Sequence, residues 1–384
     1  MEVLYRGFDG LDASFRGHIS QDLCEALDEA KQKAQETRQE SYLEWNGIKM
    51  SVAETGAKGG YAYRMSTGPF GAIWFFKKPN GGDPWGIRVS CRSFNLAVNG
   101  LGYARAELYR TLSLLGAAIS VAGESISRID YAVDFLAPGL VLSPEHFVMH
   151  SNANRADHIE LAEMTANGKS GRVTSVTVGK MPGRQVIVYD KRAEVIAKHK
   201  PGWWEIWNAA RANVDRPPLI VEDSSQSRIW RVELRAGKRH LKDRWNIVSW
   251  ADLHDRLGDM LATMLDVIRC AHPNQDSNRS RWPDSELWKQ VRSELHADLF
   301  EMRTFADPDL VKRVQREEHD RLLAAQMTGL LTTRAALNGK VASELPSYAI
   351  DIGEEMAAYI VSARPRFERK LEHAKDRYSL GAAS

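Results

Sequence analysis

Cysteine is nearly missing from this chain. Cys24, Cys91 and Cys270 are its three cysteines in 384 residues. They lie far apart and form no CxxC pair, which argues against a disulfide framework and against a structural zinc site. A reducing, cytoplasmic setting is therefore expected. Long apolar runs are missing too. No stretch of 18 apolar residues occurs, so no membrane span is expected, and Met1-Glu-Val-Leu-Tyr5-Arg6 lacks the apolar core of a signal peptide. A dominant charge is the third absence. The chain has 52 Lys and Arg against 50 Asp and Glu, a net charge of +2. Any affinity for nucleic acid must come from local basic patches rather than a global field. Gly56 to Gly60 lacks Walker spacing, and no Gly-Lys-Ser/Thr follows it, so it reads as a hairpin turn.

What is present is the composition of a soluble globular protein, 43% hydrophobic and 27% charged. Eleven tryptophans, several beside Arg or Lys, suit large packed surfaces or base stacking. Helical spacing of Leu23, Ala26, Leu27 and Ala30 predicts a helix over 21–38. Val3–Phe8 reads as a strand closed by a Gly-Asp turn. Residues 42–92 read as short strands between glycine-rich turns, and 98–122 as a helix. The spans 126–135, 173–178, 185–188 and 227–235 read as strands, the middle two forming a hairpin. Helices are expected at 143–153, 191–199, 249–272, 284–302, 308–336 and 350–376. The pattern predicts an α+β fold. Residues 1–244 would hold a curved, mainly antiparallel sheet with flanking helices, and 245–384 an all-helical C-terminal region for DNA binding or dimerisation. The boundary near 244 is a soft one, because Asp276 to Trp288 has the option of packing back onto the sheet.

Strand side chains alternate with period two. Arg128, Asp130, Ala132 and Asp134 therefore share one face, opposite apolar Ile129, Tyr131, Val133 and Phe135. Arg231, Glu233 and Arg235 likewise oppose Trp230, Val232 and Leu234. The third strand ends at Tyr189, followed by Asp190 as a helix N-cap and by Lys191. Taken singly, each is the solvated face of an amphipathic sheet with ordinary cross-strand pairs. Together they offer the parts of phosphoryl transfer. Carboxylates hold a hard divalent cation, arginines grip non-bridging oxygens, and a tyrosine attacks with help from metal, lysine or a carboxylate base. Asp130 and Asp134 lie roughly 13 Å apart on an unbent strand, so one would ligate and the other position a base or water.

Arg128-Ile-Asp130-Tyr-Ala-Val-Asp134, Gly179 to Glu194, and Trp230-Arg231-Val-Glu233-Leu-Arg235 resemble the replication initiation factor family. So do Trp203 to Trp207 and Asn278 to Trp288. This family comprises rolling-circle plasmid initiators, phage replication proteins and relaxases of conjugative elements. The resemblance spans about residues 85–300. It implies a nuclease that nicks and rejoins one strand of origin DNA through a 5′-phosphotyrosyl link, using Mg²⁺ or Mn²⁺, a host helicase and a homodimer. Carried over residue by residue, Tyr189 and Lys191 are the catalytic pair. Arg128, Arg231 and Arg235 are phosphate contacts, and Asp130, Asp134 and Glu233 are metal ligands. No His-hydrophobe-His motif of the other rolling-circle class occurs. The alternatives are a relaxase of a conjugative or integrative element with the same chemistry, and a non-catalytic DNA-binding regulator using helix 191–199 and Lys238 to Arg244. A tyrosine recombinase fits poorly, because its catalytic residues would sit on helices and these sit on strands.

Overall fold

The computed structural model describes residues 1–79, 82–149, 164–169, 171–296, 304 and 306–379. The elements in chain order are β1 (Glu2–His18), α1 (Gln21–Thr37), β2 (Ser41–Trp45), β3 (Ile48–Val52), β4 (Tyr63–Ser66), β5 (Ala72–Phe76) and β6 (Ile87–Cys91). Next come α2 (Ser93–Leu114), β7 (Ala118–Leu136), β8 (Phe147–Met149), β9 (Thr165–Lys169), β10 (Arg172–Gly179) and β11 (Arg184–Asp190). These lead into α3 (Lys191–Ala197), α4 (Gly202–Ala212), β12 (Ile229–Gly237), α5 (Trp250–Val267), β13 (Ile268–Cys270) and α6 (Glu286–Ser293). The chain closes with α7 (Pro308–Leu337), α8 (Leu345–Ser362) and α9 (Arg364–Ser379).

The fold is α+β, as the periodicity predicts. An 11-stranded sheet runs β2-β3-β4-β5-β6-β1-β7-β12-β11-β10-β9, and its strand pairs are antiparallel. Two strands are much longer than their sequence signal. β1 continues through the expected Gly-Asp turn, because bulges, one of them at Asp9, absorb the glycines and keep it paired with β7. β7 starts at Ala118, not after a helix ending near 122. Gly116, at φ 67, ends the preceding turn, and Ala118 and Ile119 pair with His18 and Gly17. The helix expected at 143–153 is a single tight turn, Pro144–His146, that passes into β8; the residues after 149 lie outside those described.

One sheet face carries the main core. Phe8, Leu11 and Phe15 of β1, Ile129, Tyr131, Val133 and Phe135 of β7, and Val232 and Leu234 of β12 pack there against Leu23 and Leu27 of α1 and Leu108 and Leu112 of α2. Burial at this density contributes about 1.5–3 kcal/mol for each large side chain. The same cluster runs past residue 244. Trp250, Leu253, Leu257 and Leu261 of α5 and Trp288 of α6 belong to it, and the Trp288 indole N–H donates to the Leu265 carbonyl at 3.0 Å. Ser249 and Asp252 form a capping box that starts α5. Helices α7–α9 bury far less; Ala335, Tyr348 and Ile352 form a small cluster of their own. The span 350–376 divides into α8 and α9 around Ala363, with Pro365 in the first turn of α9, where its missing N–H costs nothing. No described helix is long and apolar enough to cross a membrane.

Candidate active site

The other face of the sheet gathers the charged residues from β7, β11 and β12. The register places Tyr5, Asp134, Arg231 and Tyr189 opposite one another on β1, β7, β12 and β11. A neighbouring row carries Gly7, Ala132, Glu233 and Ile187, and the next Gly10, Asp130, Arg235 and Gln185. The three strands read from the sequence do share one face.

α3 and α4 roof the first row. Trp203, Trp204 and Trp207 pack with Tyr5, Ala132 and Val195 in a second core. Beneath them Arg231 is 0% exposed. Its Nε and Nη2 donate to the two Asp134 oxygens at 2.6 and 2.9 Å, and its Nη1 donates to Asp9 at 2.5 Å. The Trp207 indole N–H donates to Asp134 at 2.9 Å, and the guanidinium lies 4.2 Å from the Trp203 ring centroid. Burial pushes Asp9 up, but Arg231 and then Lys191 outweigh it and hold its carboxyl below the usual range. The metal-ligand and phosphate-contact roles expected of Asp134 and Arg231 meet an obstacle here. Both Asp134 oxygens already accept hydrogen bonds, and the arginine is sealed from solvent.

Tyr189 is the penultimate residue of β11, and burial raises its phenol well above 10; Arg231 pulls the value down and Glu233 pushes it up. Asp190 caps α3, accepting from the Ala193 N–H at 2.9 Å and from Arg172 at 2.8 Å. Lys191 leaves the strand line as the first residue of α3, yet it turns back over the tyrosine. Its Nζ lies 5.7 Å from the Tyr189 ring centroid, 4.7 Å from that of Trp203 and 2.8 Å from Glu194. Burial and then Arg231 lower its pKa.

The second and third rows are differently satisfied. Asp130 and Glu233 are 2% and 1% exposed. Arg128 grips Asp130 at 3.0 and 2.5 Å, while the Arg235 Nε lies 2.6 Å from Glu233 Oε1 and 3.9 Å from Asp130. Glu233 Oε2 is buried without a hydrogen-bond partner. Burial raises the Asp130 pKa to about 6, the Arg128 hydrogen bond opposing it and Glu233 adding to it. Gly10 makes room, since a Cβ there would come within 2.5 Å of Asp130 Oδ2. Among the described residues no group of three or more His, Cys, Asp or Glu could hold a metal ion. A pair of carboxylates with one orphaned oxygen still fits a hard cation of the Mg²⁺ type, which takes one or two carboxylates and completes its shell with water and phosphate.

No protein-family model matches the chain, and no curated protein matches it. Among solved structures the chain is similar to a rolling circle replication initiator protein from Geobacillus stearothermophilus, the alignment covering 78% of this chain and 99% of that one at 15% identity and a TM-score of 0.41.

Asp9, Tyr5 and the roof tryptophans were missed by the face analysis. Asp9 sits where β1 bulges, so period-two counting cannot assign its side. The alternation of Tyr5, Gly7 and Gly10 beside charged partners was the available signal.

Proposed function

We propose that this chain is a rolling-circle replication initiator that nicks and rejoins one strand of origin DNA through a 5′-phosphotyrosyl intermediate. The observation that carries this reading is a strand-end tyrosine set in register beside a buried arginine, with a buried lysine 5.7 Å from its ring. In this scheme the Tyr189 Oη attacks the scissile phosphorus in line. The Oη–P bond forms as the P–O3′ bond breaks, and the departing 3′ oxygen takes a proton from solvent water to become the primer hydroxyl. Lys191 takes the phenolic proton. Its lowered pKa lets it pass between amine and ammonium, and Glu194 receives the ammonium. Arg231, fixed by Asp134 and Asp9, stabilises the phenolate from beneath, so Asp134 acts as a positioning residue. Half-exposed Arg128 and Arg235 reach the non-bridging oxygens. Asp130 and Glu233 would hold a Mg²⁺ or Mn²⁺ ion, which when bound offsets phosphate charge. Rejoining reverses the steps, Lys191 returning the proton to the tyrosyl oxygen.

On this reading the partners are origin DNA and a host helicase, and the protein works as a homodimer. With α5 and α6 built into the sheet's core, DNA binding or dimerisation falls to α7–α9. The test incubates wild type and Tyr189→Phe with supercoiled and single-stranded DNA from the protein's own replicon, with Mn²⁺ or EDTA. Protein-linked DNA is read on denaturing gels. The expected result is a metal-dependent adduct that the phenylalanine variant cannot form. An adduct in the variant moves the nucleophile elsewhere. Tight binding without cleavage by either protein favours the regulator.

A further inference from the structure

The function proposed above uses β7, β11 and β12 and leaves β4–β6 without a role. Their outer face belongs to the same continuous surface. Register rows cross it directly. Arg64, Phe75, Arg88 and Ser14 oppose one another on β4, β5, β6 and β1. In the adjacent row Ile73, Ser90 and Asp12 lead to Arg128, the residue that grips Asp130. The span from β12 to β4 is five strand spacings, roughly 24 Å at about 4.8 Å each.

Cations and aromatic rings alternate along this face. Arg88 lies 5.2 Å from the Phe75 ring centroid and 3.1 Å from Asp12. Arg16 lies 4.9 Å from the Trp85 ring, and Lys77 lies 5.0 Å from Tyr61. Arg64, Phe75, Trp85 and Arg88 are all partly exposed. Arg92 follows β6 directly, its backbone N–H donating to the Gly71 carbonyl at 3.2 Å, and burial and then the like charge of Arg64 lower its pKa, against a smaller pull from Glu40. The Arg92 Nε is buried without a hydrogen-bond partner. Guanidiniums along the face and an unmet donor suit phosphates, and the rings suit stacked bases.

We infer that the outer face of β4–β6 is a single-stranded DNA track that runs from Arg64 on β4, past Arg88 and Arg92, to the candidate active site. The direction of the track rests on the nicking reading; the binding does not. A duplex would engage the arginines but could not stack its paired bases on Phe75.

The test measures fluorescence anisotropy of a labelled oligothymidylate with the full chain across a salt titration. Arg64→Ala with Arg92→Ala should bind roughly ten-fold more weakly, with a salt slope shallower by about 1.4, or about 0.7 for each lost single-strand phosphate contact. Phe75→Ala should bind roughly five-fold or more weakly with its slope unchanged. Unchanged binding in both variants overturns the track. So does an equal loss on a duplex of the same length in the phenylalanine variant. Wild-type adduct formation, measured in parallel, separates the two readings. No adduct with weakened variant binding overturns nicking and keeps the track, whereas normal adduct with unchanged binding does the reverse.

Discussion

Under Trp203 and Trp207 the charged face of the sheet is dry, and every cationic hydrogen bond has its match: Arg231 reaches Asp134 twice and Asp9 once. In the next two rows, those of Glu233 and of Asp130 with Arg235, the roof gives way to partly exposed Arg128 and Arg235, and one carboxylate oxygen, Glu233 Oε2, has no donor. The residue types are the same and the strands are the same. A buried ion pair is tolerable only when its hydrogen bonds are complete, so Asp134 and Asp9 in and beside the first row serve to hold Arg231 in place. The next two rows keep an unfilled acceptor and a carboxyl that ionises reluctantly, which is why the proposed cation is placed there.

Four experiments break or sharpen this contrast. The largest effect is expected from Tyr189→Phe, which should lower adduct formation by roughly 10⁴-fold or more while its urea midpoint stays near wild type. Asp134→Ala comes next. It leaves Arg231 buried with one carboxylate fewer and should cost about 3–5 kcal/mol in urea unfolding. Asp134→Leu combined with Arg231→Met should recover most of that stability and still fail to form adduct; recovery of adduct would end the role given to Arg231.

Asp130 gives a pH signature of intermediate size. Its folded pKa of about 6 lies above the unfolded value near 3.9. The folded state therefore holds the extra proton, and this group's contribution is full below about pH 4 and lost as pH rises through 6. Asp130→Asn should accordingly gain on wild type by roughly 2–3 kcal/mol between those limits, measured by urea unfolding at each pH. A difference that does not change with pH would show that the carboxyl is not strained. The smallest effect is expected in α7–α9. Arg334→Ala breaks an exposed pair with Glu355 at 2.8 Å, and the melting temperature should not measurably move.

Much of the frame was legible because short-range patterns carried it. The period-two faces of β7 and β12, the β10–β11 hairpin, α1 with its Ser20 cap and the Asp190 cap of α3 all follow from local spacing and hydrogen bonding. The misread places are those where distant pairing overrode local signal. β1 runs through its glycines because β7 lies beside it, and residues 118–125 are strand because β1 pairs with them. Asp9 and Lys191 fall at a bulge and a strand end, where alternation stops assigning sides. Helix α5 read as part of a separate C-terminal region, yet Trp250 shares the sheet's core; Trp288 of α6 does so too, as the reading of Asp276 to Trp288 allowed.

The sequence alone determined which side chains stand on each strand face and that acids, arginines, a lysine and a tyrosine are available, since alternation is a property of the backbone. Only the tertiary structure decided which of these charges are occupied and which are open. That choice depends on the register between strands far apart in the chain and on the tryptophan roof that excludes water from Arg231 and leaves Glu233 Oε2 without a donor.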